Sequence, residues 1–355
     1  MSPGLRALDG NGCGPGARPP GHARLLAVLV LSRAETEAFL DLDALRRAVA
    51  VAMADVSAGR ASMPARIAAQ VEERTGLLAA MPAYLPGLGG LGAKLVSLFP
   101  QNAGGPTPTH QAVVILFDAE TGSPLALMDG TSITAARTAA GSALSTELLA
   151  PTRARTLAIL GTGVQARAHA LAVVRTRPFA EVRIAGRSRE RAEALADELK
   201  TLLPCAVTAV AGYAEASAGA DVVCATTHSP DPVVLRSDLA PGTHVTSVGY
   251  NFAGREIDSE TVAAAVLVVE SRAAVLAPPP SGSTDIRVPI EEGLIGPDHI
   301  YAEIGELVAG TRPVPAPGER ITLYKSVGVA AQDIAAAHLV LEQATAAGLG
   351  TRVEL

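Results

Sequence analysis

The stretch Ile159–Ala170, ILGTGVQARAHA, constrains the fold of this chain more than any other. An apolar run enters Gly-Thr-Gly and leaves it with helical spacing, so the sequence reads strand, glycine turn, helix. The rhythm continues. RTLAILG is a strand, VQARAHALAVVRT a helix, EVRIAG a strand and RERAEALADELKTL a helix; the strands AVTAVAG, DVVCATT, HVTSVGY and AVLVVES follow. Five or six short apolar strands alternating with helices predict an α/β domain on a parallel, doubly wound sheet.

Within the turn, Gly161 and Gly163 fill the first two positions of G-x-G-x-x-G/A and Ala166 the third. The first glycine permits a tight turn and the second lets backbone approach a pyrophosphate. The small third residue lets helix and strand pack closely, and the helix N-terminus offers N–H donors to phosphate. After the second strand, where a carboxylate would hold the ribose 2′-hydroxyl of NAD, the sequence reads AGRSRER, with Arg187 and Ser188 and no acid before Glu190. A guanidinium and a hydroxyl suit a 2′-phosphate, which predicts NADPH, with NADH as the alternative. The other reading is that these arginines only begin a solvated helix.

The first part of the chain has a different pattern. Residues 1–21, rich in Gly and Pro, read as a disordered tail and Leu25–Leu31 as a first strand. A helical pattern then runs from the N-cap Ser32 to Gly59. AVVILFDAETGSPLALM reads as a β-hairpin around Thr121-Gly122, and Thr131–Leu149 as a helix. The first ~145 residues therefore predict an α+β unit with an antiparallel sheet. The final helix, GVAAQDIAAAHLVLEQATAAG, reads as long and amphipathic, and is expected to pack back on that unit. The Pro/Gly-rich residues 278–285 read equally as a lid or a surface loop.

Composition removes other classes. With 48% hydrophobic and 18% charged residues the chain is not disordered. A net charge of −6 and 3% aromatics, with no Lys/Arg cluster, argue against nucleic acid as a partner. No apolar run approaches the ~18 residues of a membrane helix. Cys13, Cys205 and Cys224 are scattered and odd in number, which fits neither a disulfide framework nor zinc and suits a reducing cytoplasm. Cys205 and Cys224 are expected to be buried thiols.

Taken with MPAY (81–84), KLVSLFPQN (94–102), the long match over 108–140, LAPGTHVTSVGYN (239–251), EIGELVAG (303–310) and ITLYKSVGVAAQD (321–333), the glycine turn resembles the ornithine cyclodeaminase/μ-crystallin family from about Leu25 onward. That resemblance implies a homodimer. It also implies a substrate and dimerisation domain of residues 22–145 plus 321–355, completed by the C-terminal helix, and a Rossmann domain of residues 146–320. Carried over, Arg66, Lys94 and Arg137 look like the clamp for a small substrate's carboxylate, with Val327 beside it and Lys94 also in a catalytic role. A buried carboxylate needs such charge-assisted hydrogen bonds. Thr109, Arg137, Gly161, Thr162, Gly163, Val164, Gln165, Arg187, Ser188, Thr226, Thr227, Val248, Gly249, Arg255 and Ser326 match positions around the cofactor. His110 and His228 are candidate proton donors, although lone histidines are more often structural.

Two departures bear on the reaction. Where the family's cyclodeaminases carry an Asp in a V-G-x-D pattern this chain has Asn251, and where they carry a Glu before the MP motif it has Ala79. An amide cannot serve as a base near neutral pH or neutralise an ammonium. The resemblance therefore implies NADPH-dependent reduction of a small cyclic imino acid, with Asn251 orienting the nitrogen or a water. Amination of a 2-keto acid by an alanine-dehydrogenase-like route, ornithine or lysine cyclodeamination, and non-enzymatic NADPH-dependent binding are the alternatives.

Overall fold

A computed structural model of the chain describes residues 27–249, 254–279 and 281–354. The tail at 1–21, the first two residues of the expected strand at Leu25, Cys13 and Asn251 lie outside these. The first half holds strands β1 (Ala27–Leu31), β2 (Ile67–Val71), β3 (Gly76–Leu85), β4 (Gly90–Leu98), β5 (His110–Phe117) and β6 (Pro124–Asp129); burial alternates along β3 to β6, whereas β2, at the sheet edge, is exposed throughout. Period-two burial gives β3 to β6 one face for a core. The hairpin β5–β6 forms as the sequence predicts, with Gly122 at φ +71 in its turn. The expected single helix from Ser32 is two, Arg33–Ala38 and Leu42–Ser57, because Asp41 caps a new helix start by accepting from Ala44 N.

Eight further strands are β7 (Thr156–Leu160), β8 (Glu181–Ala185), β9 (Ala206–Ala209), β10 (Val222–Ala225), β11 (His244–Ser247), β12 (Val266–Val269), β13 (Ile300–Glu303) and β14 (Thr322–Lys325). They form one parallel sheet in the order β13-β12-β14-β11-β10-β7-β8-β9. The doubly wound class holds, but with eight strands where five or six were expected. The strand β14 also departs from the expected boundary at 321, since it lies in the parallel sheet between β11 and β12. Its polar ends hid it: Thr322 and Lys325 are buried with partners, so TLYK does not read as an apolar core strand. The last strand, β15 (Thr351–Glu354), returns to the smaller sheet, whose order is β15-β1-β6-β5-β4-β3-β2. That sheet is antiparallel except for the β1–β6 pair.

The C-terminal helix Ala330–Ala347 packs on the helices Leu42–Ser57 and Gly130–Leu149 and on β3, β4 and β5, as expected. It is less amphipathic than its sequence suggests: Ala330 to Ala337 are buried on every side. The helix Gly130–Leu149 bridges the halves, contacting β5 at one end and β11 and β14 towards the other. Its lower seam is polar. His169 Nε2 lies 2.9 Å from Ser142 Oγ, Thr246 Oγ1 donates to Ser142 Oγ at 3.1 Å, and His244 sits between Ser145 Oγ at 3.1 Å and Thr322 Oγ1 at 2.8 Å. Burial pushes His169 down to about 4 and His244 to about 3, so both stay neutral. Cys224 is buried, whereas Cys205 is partly exposed.

The seam makes Thr322 a test of how β14 is held. Thr322→Val leaves one buried nitrogen of His244 without its partner. Equilibrium denaturation should show a loss of about 1–3 kcal/mol; an unchanged midpoint would mean that the seam contributes nothing.

Candidate functional site

Three cations and one carboxylate meet where the two halves face each other. Lys94 projects from the inner face of β4, in register with Met81 on β3 and Val114 on β5, and is 2% exposed. Arg137 comes from the helix Gly130–Leu149, and Asp333, fully buried, from the first turn of the C-terminal helix. Asp333 Oδ2 lies 2.7 Å from Lys94 Nζ, and its Oδ1 accepts from Arg137 Nε at 2.9 Å. Arg137 also donates to Gln332 Oε1 at 2.9 Å. Arg66 closes the group by donating to Gly328 O at 2.9 Å, and Gly328 packs against the Arg137 guanidinium.

The electrostatics follow from burial and from the excess of positive charge. Burial lowers Lys94 to about 8; Asp333 opposes the shift, and Arg137 and Arg66 add to it. Burial pushes Asp333 up, but Arg137 and Lys94 outweigh it and hold the carboxyl below its ordinary value, hence ionised. His110, at the start of β5, falls to about 4 through burial and the charges of Lys94 and Arg137. It is neutral near pH 7 and carries no proton to donate as an imidazolium. His228 is exposed. One carboxylate among three cations, two of them buried and Arg66 half-buried, leaves a surplus of two positive charges that a second carboxylate would halve.

Beside Arg66 opens a cavity of about 160 Å³, walled by Met63, Met81, Ala274, Ala277 and Val329 and reached by Ser271 and Ser281. Its lining is chiefly apolar. Ser281 faces it and Asp285 is buried, so the end of the 278–285 segment is packed into the protein and is not a plain surface loop.

The glycine turn lies at the C-terminal ends of the parallel strands, the edge where open α/β sheets bind ligands. Gly161 sits at φ +126, and a Cβ there would come 2.6 Å from Thr226 Oγ1, which donates to Leu160 O. Gly163 begins the helix Val164–Val173 with no side-chain cap, nothing stands over its Cα, and Ala166 is fully buried against the strand. The free N–H groups and open backbone fit a pyrophosphate. Thr162 packs on Gly186, Val164 is exposed, and Gln165 begins the helix. Arg187 is exposed at the end of β8, in no ion pair among the described residues, while Ser188 caps the next helix by accepting from Arg191 N.

The other expected cofactor positions are less uniform. Thr226 and Thr227 follow β10, Val248 and Gly249 follow β11, and Ser326 and Val327 follow β14, all on the same edge. Thr109 is exposed just before β5. Arg255 is turned to Ser259 Oγ at 2.6 Å and Glu292, leaving it outside the cation group. Sequence reasoning missed Asp333 although it stood at the end of a quoted match. The signal was available: a carboxylate in the run VGVAAQDIAAAH needs a buried cation. An amide in its place would leave Lys94 and Arg137 buried without a counter-charge. Asp333→Asn should cost about 3–5 kcal/mol in denaturation, and a cost below 1 would show that the group is not held by this pairing.

The pattern defining the Ornithine cyclodeaminase/mu-crystallin family matches residues 27–348. Ketimine reductase mu-crystallin of Mus musculus is 38% identical over 285 residues, 80% of this chain and 86% of that protein. Delta(1)-pyrroline-2-carboxylate reductase of Bacillus cereus is 34% identical over 331 residues, 92% of this chain and all of that one. The Delta(1)-pyrroline-2-carboxylate reductase of Thermococcus litoralis, solved with NADH and L-proline, superposes with a TM-score of 0.87 at 37% identity over 92% of this chain and 100% of that one. A matching family pattern over most of the length, and relatives of this closeness, place the chain in the ornithine cyclodeaminase/mu-crystallin family.

Proposed function

We propose that the protein is an NAD(P)H-dependent reductase of a small cyclic imino acid, of the pyrroline- or piperideine-carboxylate type, and that it prefers NADPH. The observation that carries this is the surplus of positive charge at buried Lys94 and Arg137 and half-buried Arg66, which lines a small, chiefly apolar cavity. Such a site suits one carboxylate on an otherwise apolar ring. A second amine would need an acid, and Ala79 stands where the family's cyclodeaminases place one. Relatives that reduce ketimines and pyrroline-2-carboxylate support the same reading.

When bound, the reduced nicotinamide cofactor supplies a hydride to the imine carbon. Gly161, Gly163 and the helix start behind them hold its pyrophosphate, and Arg187 with Ser188 faces the adenosine ribose. Arg66, Lys94 and Arg137 anchor the substrate carboxylate and fix the C=N carbon towards the sheet edge. Lys94 Nζ, close to neutral in its proton affinity, is the group that can exchange a proton with the substrate nitrogen. Asn251, outside the described residues, orients that nitrogen or a water. Residues 27–145 with the C-terminal helix serve as the substrate and dimerisation half. The outer face of the smaller sheet carries exposed Leu78, Leu95, Val113 and Leu125, which a second copy would cover, and an archaeal alanine dehydrogenase of the same fold is a dimer.

Loss of the nicotinamide absorbance separates the readings. Cyclic imino acids should oxidise NADPH faster than 2-keto acids with ammonia do. Ammonia release from ornithine with no net cofactor change would replace this reading with cyclodeamination. The value of kcat/KM for the imine should fall as pH rises through about 8, as Lys94 loses its charge. Lys94→Arg should move that break upward, whereas a break belonging to the imine's own proton would stay. Arg187→Ala should weaken NADPH about tenfold and leave NADH unchanged, by loss of a charge-assisted phosphate contact; equal effects on both would remove the 2′-phosphate assignment.

A further inference from the structure

Four charged side chains lie buried at the same sheet edge and belong to neither the cation group nor the glycine turn: Glu270, which accepts from Ser326 Oγ and Val327 N, and three that are linked to one another. Glu256, Asp285 and Lys325 are 2%, 3% and 1% exposed. Among the described residues, Glu256 accepts four hydrogen bonds. Thr227 N and Thr227 Oγ1 donate to its Oε1, and Ser247 Oγ at 2.8 Å and Gly249 N at 2.7 Å donate to its Oε2. Lys325 Nζ donates to Ser247 Oγ at 2.9 Å and Gly249 O at 2.8 Å, and pairs with Asp285 Oδ2 at 2.8 Å. Asp285 Oδ1 in turn accepts from the backbone of Glu256 and Ile257 at 2.7 and 2.9 Å.

Two backbone N–H groups and two hydroxyls directed at one carboxyl group suit a carboxylate acceptor. Two carboxylates and one ammonium give the cluster a net charge of −1. Arg255, the cation adjacent in sequence, is turned away to Ser259 and Glu292 and does not neutralise it. The segments that the cluster ties together are the ends of β10, β11 and β14. Under the reading proposed above, these ends line the cleft for the nicotinamide half of the cofactor. The glycine turn that takes the phosphates follows β7. An oxidised nicotinamide ring carries a positive charge that the reduced ring lacks. A fixed negative charge nearby, shielded from water, therefore favours the oxidised form.

We propose that Glu256, held by Lys325 and Asp285, is a positioning residue that fixes the Thr227 and Gly249 loop ends around the nicotinamide and, through the cluster's net charge, biases the site towards the oxidised ring. This rests on the cofactor reading but goes beyond it, because it assigns a role to charges that touch neither phosphate nor carboxylate.

Glu256→Gln tests it with the shape kept. Its amide NH2 must face one pair of donors whichever way it turns, and the charge is lost. Affinities for NADP+, NADPH and 2′,5′-ADP, which carries only the adenosine half, are measured by calorimetry. NADP+ should weaken about tenfold more than NADPH, with 2′,5′-ADP changed less than about twofold. Lys325→Met makes the cluster more negative and should shift the NADP+/NADPH preference the opposite way. Equal changes in both cofactor forms, a parallel loss of 2′,5′-ADP binding, or shifts of the same sign in the two variants would overturn the proposal. A wild-type chain that binds neither 2′,5′-ADP nor NADPH would instead overturn the cofactor reading beneath it.

Discussion

The ion pairs of Asp333 with Lys94 and Arg137 hold the site in its shape. The three residues come from a β-strand, from the helix that bridges the halves, and from the C-terminal helix, so nothing local in the chain brings them together. A buried lysine and arginine without a counter-charge would distort or rehydrate their surroundings. One carboxylate steadies both and leaves their remaining hydrogen-bonding capacity unsatisfied. The arrangement therefore stabilises the fold and stays receptive to an anion. With Arg66 added, the positive surplus would, under the proposed function, select a carboxylate-bearing substrate over a neutral one.

The helix Gly130–Leu149 translates that selection into geometry. Arg137 lies towards one end, beside the smaller sheet, while Ser142 and Ser145 farther along are hydrogen-bonded to His169 and His244 under the parallel sheet. Arg137 and the parallel sheet are thus fixed to one rigid element. Reactions of this kind gain much of their rate from holding reactants at a set distance and angle. The buried polar seam costs desolvation, but its groups are mutually paired, so it specifies one relative placement of the two sheets.

What could be read from the sequence follows what is local. Strand, turn and helix around Gly161 are written in fewer than fifteen consecutive residues, and the absence of an acid after β8 is equally local. That Arg66, Lys94 and Arg137 come together was legible only through resemblance, since a lone cation in a sequence is usually a surface residue. Asp333 and the Glu256–Asp285–Lys325 cluster were not read at all. Their meaning lies in partners tens to hundreds of positions away, which periodicity does not encode. The strand β14 was misassigned for the same reason: Thr322 and Lys325 look like solvent-facing residues until His244 and Asp285 are placed beside them. The C-terminal helix reads as amphipathic, yet its polar Gln332 and Asp333 are buried beside Arg137.

The most direct test of the account is a crystal structure of the chain with NADP+ and a cyclic amino acid, L-proline or its six-membered homologue. The account predicts the amino acid's carboxylate within hydrogen-bonding distance of Arg66, Lys94 and Arg137, its ring in the cavity walled by Met63 and Met81, and its α-carbon facing the nicotinamide. A carboxylate bound elsewhere, with Lys94 and Arg137 still held only by Asp333, would contradict it.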